Sequence, residues 1–114
     1  MASPEKKVKQ KIRQILDSFD AYHFMPATHG YGASGTADIV VCFRGRFVAI
    51  EVKATDKNKP TALQCLAARQ VIAAGGTALL VHAENTHVVA EAFKQIESGA
   101  YAHSVWPDLF SEVV

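Results

Sequence analysis

Cysteine, an excess of either charge and long apolar runs are all scarce in this sequence, and each absence narrows its class. Cys42 and Cys65 are the only cysteines in 114 residues, too few for a disulfide framework. They fall in a predicted strand and a predicted helix and are expected to be buried thiols. Twelve Lys and Arg stand against 11 Asp and Glu, a net charge of +1, so no overall field draws the chain to nucleic acid. No apolar run approaches the length of a membrane span. The start, Met1 to Lys7, has no apolar segment behind it and does not read as a signal peptide. His23, His29, His82, His87 and His103 have no metal-ligand spacing with each other or with the cysteines. No repeat or low-complexity segment occurs. The expectation is one soluble, cytoplasmic domain spanning residues 1–114. With 49% hydrophobic residues, a chain of this length can bury about two-thirds of its unfolded surface.

What is present is concentrated around one hairpin. Ala37 to Phe43 and Phe47 to Lys53 are rich in β-branched and aromatic residues, and the short link Arg44-Gly45-Arg46 suits a tight reversal. Pairing around Gly45 puts Asp38 roughly opposite Glu51, and period-two alternation puts Glu51 and Lys53 on one face. Apolar residues on both sides of strand 47–53 predict that it is buried on both faces. A carboxylate or ammonium there is costly unless paired or metal-bound. Asp38 and Glu51 are oxygen donors of the kind that suits Mg²⁺, with Mn²⁺ as a substitute. Lys53 could hold an attacking water or offset charge that develops on a phosphate. An acid on one strand followed by Glu-x-Lys on the next is the arrangement of metal-dependent nucleases. A buried ion-pair cluster without catalysis is the competing reading.

Period and punctuation give the remaining elements. Ser3 can cap a helix with Pro4 at its first position, and Val8, Ile12, Ile15, Leu16 and Phe19 form its apolar stripe. A short strand about Ala21 to Met25 leads into a Gly-rich loop at 27–36. After the hairpin comes a polar turn at 56–60. Thr61 opens a helix to about Ala74, ended by Gly75-Gly76, and Thr77 to His82 is a strand. Asn85 can cap a third helix whose apolar side is Val88, Val89, Ala92, Phe93 and Ile96. The tail carries Trp106, Leu109, Phe110 and Val113, as a cover for the core or as a dimer contact. The order α-β-β-β-α-β-α predicts an α/β fold, a mixed central sheet flanked by helices.

Charge is unevenly spread. Residues 1–60 carry ten Lys and Arg against six Asp and Glu, whereas residues 61–114 carry two against five. The basic half contains Asp38, Glu51 and Lys53. Lys6, Lys9, Arg13, Arg44, Arg46, Lys57 and Lys59 are therefore candidate phosphate contacts, and His29 and Tyr31, in the loop before Asp38, are candidate substrate contacts.

Glu5, Gly35-Thr36-Ala37-Asp38, Ile50-Glu51-Val52-Lys53, Gln64 and the strand Leu79-Leu80-Val81 after Gly-Gly together make residues 5–82 resemble the PD-(D/E)xK nuclease superfamily. More narrowly, they resemble its small stand-alone VRR-NUC (virus-type replication-repair nuclease) family. The resemblance implies a restriction-endonuclease-like fold and a structure-selective DNA endonuclease that uses Mg²⁺ or Mn²⁺. It also implies a bacterial or phage-encoded homodimer acting on branched DNA such as four-way junctions, with no membrane partner. Ala37 departs from the family's usual Pro before the acid, a position that shapes backbone rather than chemistry. The alternatives are a non-catalytic DNA-binding or assembly module of the same fold, or a nuclease acting on RNA or flaps.

The resemblance implies Gln64 as a catalytic-site residue, yet Thr61-Ala62-Leu63-Gln64 also reads as a helix capping box. Glu5 lies on the inward stripe of the first helix and the resemblance implies a metal-site role, although a first-turn Glu also suits the helix dipole. Gly30 to Gly35 matches G-x-G-x-x-G, but that fingerprint must open a helix, and here it leads into Ile39-Val40-Val41. No nucleotide cofactor is expected.

Overall fold

The computed structural model describes residues 2–27 and 35–107. Helix α1, Pro4–Ser18, starts where Ser3 accepts a hydrogen bond from the Lys6 amide (3.2 Å), and it buries Val8, Ile12 and Leu16 at helical spacing. Three antiparallel strands follow, β1 (Tyr22–Phe24), β2 (Ile39–Phe43) and β3 (Arg46–Val52). Helix α2 (Ala62–Ala73) crosses over to β4 (Thr77–Val81), which pairs parallel to β3, and α3 (His87–Glu97) packs back onto the sheet. The sheet order is β1-β2-β3-β4, mixed as expected, and the element order is the one read from the sequence. Beyond α3, Val105 bridges to Leu79, extending the sheet past β4.

The β2–β3 reversal fixes the register on which the site depends. Phe43 pairs with Arg46, leaving Arg44 (φ 51°) and Gly45 (φ 78°) as a two-residue turn. Positive φ at both positions suits the twist of the flanking strands, and glycine is the residue that adopts it most readily. Ile39 then lies opposite Ile50.

The two faces of the sheet are covered unequally. Ile39, Val41, Val48, Ile50, Val52, Leu79 and Val81 are fully buried against α1 and α3. Phe93 stacks on Phe43 at 4.9 Å, with Phe19 edge-on to both. On the opposite face α2 packs mainly on β3 and β4. Tyr22, Phe24, Cys42 and Phe47, which share that face by register, are left exposed. Two expectations are corrected here. Cys42 is an exposed thiol, and Phe47 at the start of β3 is 46% exposed, so burial on both faces begins at Val48. Cys65 is half-buried and accepts a hydrogen bond from the Trp106 indole at 3.4 Å.

Asn85 also departs from expectation. Thr86 occupies the cap position of α3 without a side-chain bond. The Asn85 amide instead accepts from the His82 backbone N–H (2.7 Å) and donates to the Leu80 carbonyl (3.1 Å), tying the end of β4 to the turn. The tail residues Leu109, Phe110 and Val113 lie outside the described residues.

Candidate active site

The hairpin register, carried one step beyond Ile39 and Ile50, sets Asp38 opposite Glu51. Asp38 is anchored through Oδ2, which accepts from the Val52 amide at 2.8 Å. Its Oδ1 faces the Lys9 ammonium at 3.6 Å, and the same ammonium lies 3.5 Å from Glu5 Oε2. Glu51 is only 5% exposed, although it lies on the sheet face that meets α2. Its Oε2 accepts from the Gln64 side-chain amide at 2.8 Å, while Oε1 is buried with no hydrogen-bond partner among the described residues.

Gln64 completes the expected capping box and also contacts Glu51. Its Oε1 accepts from the Thr61 amide (2.8 Å), Thr61 Oγ1 accepts from the Gln64 amide (3.1 Å), and Nε2 remains free to donate to Glu51. The capping box fixes the side-chain orientation that the Glu51 contact needs.

Gly35 positions this helix end. It has φ +96°, and a Cβ there would lie 2.4 Å from the Leu63 carbonyl oxygen. Only a residue without a side chain allows this approach between the segment leading to Asp38 and the first turn of α2. The sequence sets Gly35 at the head of the Gly35-Thr36-Ala37-Asp38 motif but does not reveal this close approach.

Burial, together with a neighbouring acid, governs the electrostatics. The Glu51 carboxyl is pushed up to about 9, first by loss of solvent, then by Asp38 as hydrogen-bond partner and as like charge; Glu5 adds to the rise and the Lys53 ammonium opposes it. Protonated, Glu51 can donate to Asp38; ionised, its Oε1 has no donor among the described residues. A divalent cation would take the place of that proton. An all-oxygen pair of carboxylates with an unpartnered buried oxygen fits an ion such as Mg²⁺ or Mn²⁺, which keeps several waters and uses one or two protein carboxylates. Among the described residues no three His, Cys, Asp or Glu side chains converge as a metal-binding group. Asp38 and Glu51 are the pair brought together, and Glu5 reaches them through Lys9.

The other predicted residues are dispersed. Lys53 follows Glu51 at the same end of β3, half-buried, with its backbone N–H donating to Val81. Lys6 and Arg13 share the α1 face with Lys9 and line a cavity beside it. Lys57 and Lys59 are exposed in the loop before α2. Arg44 and Arg46 are at the far end of the hairpin, about 17 Å from the carboxylates at the rise of an extended strand. Arg44 lies over the Phe43 ring and Arg46 over Tyr101 at 3.8 Å, so aromatic faces already engage both. His29 and Tyr31 lie outside the described residues. A groove of about 490 Å³ opens between α2 and the sheet, with Val40, Phe47, Ala49 and Trp106 along it and Glu51 and Gln64 also in its lining.

A scan of protein-family models gives no match to this sequence, and a comparison with curated proteins gives none either. Among solved structures the chain is similar to one described as a VRR_NUC domain. The TM-score is 0.64 and the identity 21%, over 85% of this chain and 94% of that one. The fold is that of a VRR_NUC domain. The expected mixed sheet flanked by helices is thus the one observed. No helix among the described residues is long and apolar enough to cross a membrane.

The Glu51 shift has a measurable sign. The folded protein holds this proton more tightly than the unfolded chain does. The resulting stability is complete below the ordinary carboxyl value of 4.5 and is lost as pH rises toward about 9. In EDTA, Glu51→Gln should therefore melt higher than wild type at pH 8, by about 4 °C or more for each ~1 kcal/mol gained. Its stability should also fall less between pH 5 and about 9. Thermal melts across pH check this, and equal pH slopes for the two proteins would refute it.

Proposed function

We propose that this protein is a divalent-metal-dependent endonuclease that hydrolyses DNA phosphodiester bonds. Asp38 and Glu51 hold the ion, Glu5 assists, Lys53 acts on water or phosphate, and Gln64 orients Glu51. The observation that carries this reading is the buried Glu51 beside Asp38, with one carboxylate oxygen that has no hydrogen-bond partner among the described residues and a lysine two residues on. The VRR_NUC fold supports it, because that fold sets an acid and a Glu-x-Lys pair on adjacent strands here.

When bound, Mg²⁺ or Mn²⁺ lowers the pKa of a water and offsets charge on the scissile phosphate. The chain supplies the geometry. The Val52 amide holds Asp38, Gln64 holds Glu51, and burial keeps the Glu51 carboxyl poorly hydrated. Lys53 would offset the negative charge that develops as water attacks phosphorus and the opposite P–O bond breaks, its ammonium serving as a donor to that charge.

The same reading extends to a homodimer acting on branched DNA. One domain offers one such site, and paired cuts across a four-way junction need two, which two-fold symmetry supplies from a single chain. Tyr22, Phe24, Phe47, Leu63 and Leu66 are exposed apolar side chains that could serve such an interface.

Asp38→Asn and Glu51→Gln should each abolish cleavage in Mg²⁺ while leaving fold and DNA affinity largely intact, since both remove negative charge from a phosphate-binding surface. Near-wild-type cleavage by either purified variant would end the assignment. Lys53→Met keeps the aliphatic stem and should retain metal binding by calorimetry while turnover falls by about 10²-fold or more. A panel of labelled linear duplex, flap, four-way junction, single strand and RNA with Mg²⁺, Mn²⁺ or EDTA should show metal-dependent cutting of the junction first. Light scattering should give twice the mass of one chain. A monomer cutting linear duplex equally well would leave the nuclease and remove the junction specificity.

A further inference from the structure

Lys9 was expected on a phosphate, yet its ammonium lies on two acids, 3.5 Å from Glu5 Oε2 and 3.6 Å from Asp38 Oδ1. Its side chain is 20% exposed, a degree of burial a lysine tolerates when carboxylates compensate its charge. One turn along the same helix face lies a second environment. Lys6, Lys9, Gln10 and Arg13, with Met25 opposite, line a cavity of about 220 Å³, room enough for a phosphate group. Among the described residues neither Lys6 nor Arg13 forms an ion pair, so these two cations line the cavity with no acid paired to them there. A four-carbon stem with rotatable bonds lets one ammonium serve either place.

We propose that Lys9 is a transferable cation. It neutralises Glu5 and Asp38 in the metal-free protein, and on divalent-ion binding it moves into the cavity with Lys6 and Arg13 to bind a DNA phosphate. This rests on the nuclease reading above. Two cations on one carboxylate oxygen repel each other, so a metal on Asp38 drives the ammonium away. The departing ammonium needs a new anion, and the backbone of bound DNA supplies it beside Lys6 and Arg13, which form no ion pair among the described residues. Metal and DNA then strengthen each other's binding through one side chain, and by linkage the gain is reciprocal.

The test uses the full chain and its Lys9→Gln and Lys9→Arg variants, with folding checked by thermal melts. Calorimetry with MnCl₂ should show Lys9→Gln binding the ion more tightly, by roughly threefold or more, because a competing charge is gone. Anisotropy of a labelled four-way junction over a salt series should find Lys9→Gln equal to wild type in EDTA. In Ca²⁺ it should be several-fold weaker, with a log–log salt slope shallower by about 0.9, one phosphate contact. Lys9→Arg keeps the charge and should retain the Ca²⁺-dependent gain. Equal losses of DNA affinity in EDTA and Ca²⁺ would make Lys9 a fixed phosphate contact and overturn the proposal. Weaker Mn²⁺ binding by Lys9→Gln would make it a fixed support for the carboxylates and overturn it equally. Wild type that binds neither Mn²⁺ nor DNA would instead defeat the nuclease reading itself.

Discussion

Two carboxyl groups held side by side, one of them almost beyond the reach of water, form the constraint around which this small domain is organised. Left ionised together, Asp38 and Glu51 repel each other and Glu51 lacks hydration, a state that persists only if the surrounding structure is over-determined. Three separate elements supply that determination. The β3 backbone fixes Asp38 through Val52, the first turn of α2 fixes Glu51 through Gln64, and α1 contributes the Lys9 charge. None of these could be exchanged for bulk solvent without relaxing the pair, and the large core on the other face of the sheet makes the strands stiff enough to keep it.

The sheet is therefore asymmetric in purpose as well as in covering. The face toward α1 and α3 is a dry apolar layer, tied together by the Phe19, Phe43 and Phe93 rings, and contributes stability. The face toward α2 carries Glu51, the groove and exposed aromatics, the features on which the proposed function draws. Because side chains alternate along each strand, a single register serves both, and a slip of one residue would exchange them. The two-residue turn at Arg44 and Gly45 guards against that slip.

Much of this was legible in the sequence because it follows from local rules. Alternation, β-branched residues and the short link around Gly45 are enough to pair Asp38 with Glu51. Ser3-Pro4 and Thr61-x-x-Gln64 mark their helix starts by capping chemistry alone. The misreadings have a common physical origin in how far a helix extends over a sheet. Cys42 and Phe47 have the composition of buried strand residues, yet α2 packs mainly on β3 and β4, a matter of tertiary placement that composition does not encode. Asn85 has good capping chemistry, but the end of β4 offered it two backbone partners instead. The contacts of Lys9 and Gly35 were illegible for a related reason. A long flexible ammonium goes wherever the fold brings uncompensated acid, and a close backbone approach leaves no trace beyond the glycine that permits it.

The double duty of Gln64 ties the site to the weakest part of the framework. Helix α2 buries a single residue fully, Ala68, and its first turn is held by the same amide that holds Glu51. Helix ends with few buried contacts open locally at a fraction of the free energy of global unfolding. The orientation of Glu51 thus depends on one helical turn as well as on the hydrophobic layer beneath the sheet. Anything that clamps that turn, whether a bound strand, a partner molecule or the backbone contact at Gly35, also acts as a control on the acid it orients.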